Sequence, residues 1–265
     1  MRTQSISAIP GPVEPVFPPV GPAAAGRRHG GRFADSGAFL GILMLQTRFP
    51  RPVGDIGNPA SFPVPTRRRV IAGATAPQVV RQTAGLAAGG LLDAFTAAAL
   101  EFEREGAAAI TTSCGFLVLF QRELQDAVRV PLVTSSLLML PALLASRQQV
   151  GLLTISSESL GPEYLIAAGV ERERVPDVVV QGMDPRGEFA TAILRDRPRM
   201  DAARAGREAV QAARELKRRA PGLDTVLLEC TNLPPFASRI EQAVGLRALS
   251  LLQCEALLRP FGLAS

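Results

Sequence analysis

The chain is poor in the residues that most enzymes use for chemistry: 265 residues hold one histidine, three cysteines, one tyrosine and no tryptophan. The histidine, His29, lies in a Gly/Arg-rich stretch. A His-ligated metal site, a Ser-His-Asp triad and a Cys-His dyad therefore all lack their central residue. Cys114, Cys230 and Cys254 are odd in number and widely spaced. They form no disulfide framework and fit a reducing compartment as thiols. Without tryptophan, and with Tyr164 as the one tyrosine, the chain lacks aromatic platforms for stacking nucleic-acid bases. Apolar runs such as Leu137–Leu144 are too short to span a bilayer, and no apolar segment follows Arg2. The expectation is a soluble, cytoplasmic protein.

Lysine is nearly absent as well. Lys217 is the only one, so the net charge of +5 is carried by arginine, a bias that points to genome composition. The charge is also local. Residues 1–35 hold four basic and two acidic side chains and residues 184–219 hold ten and six, which leaves the remainder slightly acidic. No broad basic face for nucleic acid is indicated. In Asp201–Arg219 the residues Arg204, Arg207, Arg214 and Arg218 share a helix face opposite Ala202, Ala209, Ala213 and Leu216, which reads as a solvated stripe.

What is present is apolar mass, 47% of the residues, enough for one large domain or two ordinary lobes. Residues 1–37 carry six prolines before position 23 and then Arg27-Arg28-His29-Gly30-Gly31-Arg32. They are expected to be a disordered Pro/Gly/Arg-rich extension. From Phe39 short apolar runs alternate with amphipathic ones. Strands are expected at 39–45, 69–72, 107–112, 131–134, 150–155, 178–181, 225–228 and 248–251. Helices are expected at 79–104, 115–128, 137–147, 160–168, 201–219, 235–244 and 252–261. Continuous apolar strands separated by helices indicate parallel sheets covered on both faces, an α/β fold.

Two segments share one grammar. "AAAITTSCGF" from Ala107 and "DTVLLECTNL" from Asp224 each read as an apolar strand, a small hydroxyl or acidic residue, a cysteine, and a polar or glycine turn opening a helix. This suggests an internal duplication with Cys114 and Cys230 at corresponding strand ends, where ligands of open α/β sheets bind. Each cysteine would also start a helix, whose N–H groups and dipole favour a thiolate. Gly115 leaves room for a ligand, and Asn232 suits a helix cap before Pro234-Pro235. A thiolate there can move a proton or attack an electrophile. Cys254, inside "SLLQCEALL", reads as core.

The pair Thr112-Ser113-Cys114-Gly115-Phe116 and Glu229-Cys230-Thr231-Asn232, with "GILMLQTRFPR" opening the globular part, resembles the aspartate/glutamate racemase superfamily, which includes the hydantoin racemases. The resemblance covers about residues 38–263. It implies two pseudo-symmetric Rossmann- or flavodoxin-like lobes, at 38–143 and 144–251, with a terminal helix 252–265 returning to the first. It implies a cofactor-independent racemase or epimerase acting at the α-carbon of an amino acid or related carboxylate or hydantoin, with Cys114 and Cys230 as the acid/base pair on opposite faces. Ser113, Gly115, Thr231 and Asn232 would hold the carboxylate. Alternatives on the same fold are a one-cysteine isomerase or decarboxylase like maleate isomerase or arylmalonate decarboxylase, and a non-catalytic ligand-binding protein.

Glutamate racemases place Asp-Ser after the first strand, where this chain has Gln46-Thr47-Arg48. The acidic partner for an amino group is missing locally. Thr47 and Arg48 are candidate substrate contacts, with Arg48 and Arg51 either binding a second carboxylate or lying on the surface. Thr134 and Ser135, like Thr154 to Ser157, follow expected strands and either donate to a ligand or cap the next helix. Gly54–Pro59 reads as a turn-rich loop over the cleft or an ordinary connection. The expected partner is a small carboxylate or amide substrate, with no nucleic acid, membrane or metal, and a homo-oligomer is left open.

Overall fold

The computed structural model describes residues 37–81 and 90–263. The expected N-terminal extension lies outside the described residues, apart from Gly37. The chain folds into two four-stranded parallel sheets. The first contains β1 (Phe39–Leu45), β2 (Thr66–Ile71), β3 (Ala107–Thr112) and β4 (Leu132–Val133), in the order β2-β1-β3-β4. The second contains β5 (Val150–Thr154), β6 (Val178–Gly182), β7 (Thr225–Leu228) and β8 (Arg247–Leu249), in the order β6-β5-β7-β8. The two orders are the same permutation, so the duplicated grammar becomes a duplicated topology: two α/β lobes.

The strand sequences explain why both faces are covered. Every residue of β1 and of β5 is buried, as a central parallel strand with helices above and below requires. Gly41 within β1 permits the closest approach, because a Cβ there would stand 2.7 Å from the Phe102 ring. Phe102 belongs to α2 (Leu91–Arg104), which presses Phe95, Ala98, Ala99 and Phe102 against the sheet. On the other face, Leu251, Cys254, Leu257 and Phe261 from the end of the chain pack with Leu40, Ile42, Met44 and Val133. Cys254 is thus core.

The helices depart from expectation in instructive ways. The pattern over 79–104 is not one helix. It gives α1 (Ala76–Arg81) and α2, the latter entered through Gly90 in the left-handed conformation at φ 73°, which glycine adopts without a Cβ clash. Three expected helices begin with a tighter 3₁₀ turn, at Gly115–Phe120, Ser136–Met139 and Pro234–Phe236. These precede α3 (Gln121–Ala127), α4 (Leu140–Ser146) and, after α5 (Pro162–Ala167), α8 (Ala237–Val244). Between α5 and α8 lie α6 (Glu188–Leu194), which periodicity did not reveal, and α7 (Ala202–Arg219). Asp201 caps α7 by accepting from the Arg204 N–H at 3.0 Å. Its buried stripe runs through Ala205, Ala209, Ala213 and Leu216, while Ala202 in its first turn is exposed. The expected terminal helix is broken into 3₁₀ turns around the four-residue α9 (Glu255–Leu258). Among the described residues no helix is long and apolar enough to cross a membrane.

Candidate active site between the lobes

Each cysteine sits one residue beyond the point where its strand leaves the sheet. The Ser113 N–H donates to the Leu43 carbonyl at 3.0 Å, and the Glu229 N–H donates to the Leu153 carbonyl at 2.9 Å. Ser113 and Glu229 are therefore equivalent positions, and so are Cys114 and Cys230. Both cysteines are buried, and both line one cavity between the lobes. Its volume is ≈ 20 Å³, about the space of one water molecule. Its apolar walls include Leu45, Phe49 and Phe116 from the first lobe and Ile155 and Ile193 from the second. The polar lining comes from Ser113, Glu229, Thr231 and Asn232. A molecule larger than water fits only if these walls part.

The sequence candidates separate into two groups. Ser113, Gly115, Thr231 and Asn232 surround the cavity with the two thiols. Thr231 also ties the lobes together, its hydroxyl donating to the Ser113 carbonyl at 2.7 Å. Thr47, Arg48, Thr134 and Ser135 do not line the cavity. Arg48 is exposed at the rim and pairs with Asp196 of the second lobe at 3.0 Å. That carboxylate also collects the Arg48 and Phe49 N–H groups, so the guanidinium is engaged in holding the lobes shut. Thr47 accepts from Arg51 at 3.1 Å. Thr134 gives both its N–H and its hydroxyl to Gln121, at 2.9 and 2.7 Å. Ser135 caps the 3₁₀ turn through the Leu137 N–H at 3.2 Å. Gln46, in the position of the absent acid, is exposed and accepts from the Gly73 N–H at 2.9 Å.

Asn232 is no helix cap. Leu233 holds the cap position of the following turn, with no side-chain hydrogen bond. The Asn232 amide instead donates to Asp55 at 2.6 Å and accepts from the Cys230 thiol at 3.7 Å. Asp55 is buried and is held by Arg51 at 2.8 Å and the Gly57 N–H at 2.7 Å. The turn-rich loop thus crosses to the second lobe: the Ile56 N–H donates to the Thr231 carbonyl at 3.1 Å, and Gly54 packs on Pro235. Because Asp55 accepts from the amide nitrogen, the amide oxygen is turned toward Cys230.

Electrostatics correct the expectation of activated thiols. Burial, reinforced by the negative charge of Glu229, pushes the Cys114 thiol up to about 12. The N–H groups of Phe116 and Leu117 and the positive charge of Arg51 oppose this without overcoming it. Cys230 is also pushed well above its ordinary range, by burial, Glu229, Cys114 and Asp55, against the N–H of Asn232. A 3₁₀ turn offers fewer aligned dipoles than a long helix, and desolvation wins. The two thiols are nonetheless unlike. Both face the Glu229 carboxylate; Cys114 also has two N–H donors and the Arg51 charge, whereas Cys230 has one N–H donor, the Asn232 amide oxygen and the Asp55 charge.

Sequence reasoning registered Glu229 as part of the motif without giving it a role. It is fully buried, one oxygen accepts from the Thr154 hydroxyl at 2.7 Å, and the other has no partner. Burial raises its carboxyl to about 7, against the Thr154 hydrogen bond. The available signal was the mismatch of Ser113 with Glu229 at equivalent positions. Gly115 is required by the same group. A Cβ there would collide with the Glu229 carboxylate and lie 2.6 Å from its backbone carbonyl oxygen. Gly115→Ala is expected to cost about 1–3 kcal/mol by overpacking and to disturb both thiols, read by urea unfolding. An unchanged midpoint would contradict this packing. Among the described residues no group of three or more His, Cys, Asp or Glu side chains could hold a metal ion.

Comparison with known proteins places the chain in a family. Residues 63–256 match the family described as Asp/Glu/hydantoin racemase. A dimethylsulfoniopropionate lyase of Durusdinium sp. clade D is 30% identical over 226 residues, covering 79% of this chain and 70% of its own length. Dimethylsulfoniopropionate lyase 3 of Emiliania huxleyi is 29% identical over 233 residues, covering 81% of this chain, which spans only 57% of that relative. Among solved structures, a glycine-to-cysteine variant of arylmalonate decarboxylase in a sulfate-associated form aligns with a TM-score of 0.56 at 19% identity, covering 86% of this chain and 94% of that one. Glutamate racemase from Francisella tularensis, in complex with D-glutamate, aligns with a TM-score of 0.53 at 14% identity, covering 86% and 81%. With two lobes of one topology and a cysteine from each at the cavity between them, the chain belongs to the Asp/Glu/hydantoin racemase family.

Proposed function

We propose that this chain is a cofactor-independent carbon-acid enzyme, in which Cys114 removes the α-proton of a small carboxylate and Cys230 acts from the opposite side as a neutral thiol donor. The observation that carries the reading is the convergence of two sulfurs in unlike surroundings on one closed cavity. Burial and Glu229 disfavour a thiolate at both positions; at Cys114 the N–H groups of Phe116 and Leu117 and the charge of Arg51 reduce that cost, whereas at Cys230, which donates to Asn232, the Asp55 charge adds to it.

This inequality favours a reaction that runs in one direction. Racemisation needs each thiol to serve as base in turn, whereas β-elimination needs one base. The similarity to dimethylsulfoniopropionate lyases supports elimination and supplies the first substrate to test. In that step the α C–H bond breaks, with its proton going to Cys114. Its electron pair forms the Cα–Cβ double bond, and the Cβ–S bond breaks with its pair on sulfur. The products are acrylate and neutral dimethyl sulfide. A carboxylate flanked by donors stabilises the charge that develops on its oxygens. The pseudo-symmetric placement of the two cysteines favours inversion as a second reading, with Cys230 returning a proton to the opposite face.

One experiment separates the two. The protein is incubated in deuterated water with dimethylsulfoniopropionate and, separately, with single enantiomers of aspartate, glutamate and hydantoins. Headspace analysis for dimethyl sulfide and NMR for α-deuteration are the readouts. Sulfide release is the expected result. Inversion with α-deuteration would replace elimination by racemisation, and neither with any compound would overturn the carbon-acid reading.

A further inference from the structure

We propose that Glu229 is the counter-ion for a cationic group carried by the substrate, which makes the substrate class small zwitterions with a carboxylate at one end and an ammonium or sulfonium at the other. This rests on the reading of the cavity as the substrate site.

Three observations converge. Among the described residues, the buried side-chain polar atoms without a partner are one oxygen of Glu229 and Nε of Arg51, and only Glu229 lines the cavity. The carboxylate's other oxygen is fixed by Thr154, so the free one is presented by a held group. Among the described residues no cation lines the cavity, and Arg51 is committed to Asp55 at 2.8 Å, to Thr47 and to the Phe49 ring at 4.6 Å. A buried carboxylate without a counter-charge is costly, and a ligand cation removes that cost.

The surroundings suit such a ligand. Phe49 and Phe116 line the same cavity, with Arg51 over the Phe49 ring. The groups facing Glu229 are the Cys114 and Cys230 thiols and the Thr154 hydroxyl, with Arg51 and Asp55 behind the thiols. The negative charge of Glu229 opposes ionisation of both thiols. A ligand cation beside it offsets that opposition, so substrate binding itself eases formation of the Cys114 thiolate. An uncharged carboxylate of the same shape gives no such relief.

The test compares dimethylsulfoniopropionate with 4-methylpentanoate, in which CH replaces the sulfonium and the shape is kept. Affinities are measured by calorimetry at pH 8 for the full-length protein and for Glu229→Gln, which preserves size and the contact with Thr154. The wild type is expected to bind the sulfonium roughly tenfold or more tighter than its isostere, and Glu229→Gln to bring the two within about threefold. 4-Aminobutanoate reports the ammonium arm in the same way. Folding of the variant is checked by its circular dichroism and melting curve, and Glu229→Asp, which keeps the charge, should restore part of the preference. Equal affinities in the wild type, no binding of any probe, or a preference that survives Glu229→Gln would overturn the assignment. A wild type that prefers the cation but releases no dimethyl sulfide leaves Glu229 as counter-ion and removes the elimination reading instead.

Discussion

Cys114→Ser is expected to lower turnover by about 10³-fold or more, while Cys230→Ser lowers β-elimination by only about tenfold. The difference follows from the surroundings of the two sulfurs. Serine at 114 has a hydroxyl far too weakly acidic to become the base, even with the N–H groups of Phe116 and Leu117 and the charge of Arg51 in place. Serine at 230 can still donate to Asn232, as the native thiol does, and so keeps the role of neutral donor. If inversion is the reaction, both variants should abolish it. Parallel steady-state assays of the two variants, with α-deuterium exchange as an independent readout, decide the matter. Equal loss of elimination in both would contradict unequal roles.

The second large effect is on stability. The folded chain holds the Glu229 proton until about pH 7, whereas the unfolded chain releases it near 4.5. A carboxyl whose folded pKa is raised favours the folded state most at low pH, where both states are protonated, and the stability is lost as pH rises toward and through 7. The loss expected between pH 5 and pH 8 is about 2.5 kcal/mol. Few other groups obscure this window. The chain has one histidine, the carboxyls of Glu188 and Asp196 are held below their ordinary range, and the buried thiols ionise well above it. Urea unfolding at pH 5, 6, 7 and 8 should show wild-type stability falling and Glu229→Gln nearly flat. Parallel curves for the two proteins would mean that the carboxyl is not desolvated.

The same buried carboxyl links stability to the proposed function. A group with one oxygen satisfied by Thr154 and one left free weakens the empty fold at neutral pH and is relieved by the right ligand. Stability is given up where a site must stay ready for charge. The rim contact between Arg48 and Asp196 at 3.0 Å acts in the opposite sense, holding closed a cavity too small for substrate. An exposed pair of this kind contributes little, on the order of 0–1 kcal/mol, beside the buried contacts of Thr231 with Ser113 and of Asn232 with Asp55 that also join the lobes.

The sequence by itself determined the α/β class, the two lobes and the matched cysteines, because these depend on local pattern. Uninterrupted apolar runs such as Phe39–Leu45 and Val150–Thr154, separated by helical stretches, indicate parallel strands covered on both faces, and a repeated strand-cysteine-turn segment reproduces its place in the topology. What neighbours touch was decided by the tertiary structure. Arg48 and Thr134 have the right chemistry and follow strands, yet their partners, Asp196 and Gln121, lie 148 and 13 residues away, and only the fold brings them together. Asn232 has the sequence of a cap, but Asp55 arrives from the other lobe and turns its oxygen toward Cys230. Cys114 stands at the N-cap of a 3₁₀ turn, as the motif suggests, whereas Cys230 lies three residues before the cap of the next one, Leu233, and the protonation of both is set by the burial and the nearby carboxylate that folding imposes. Periodicity and motif spacing record which faces are buried. They do not record which charge ends up beside which sulfur, and that pairing decides the chemistry.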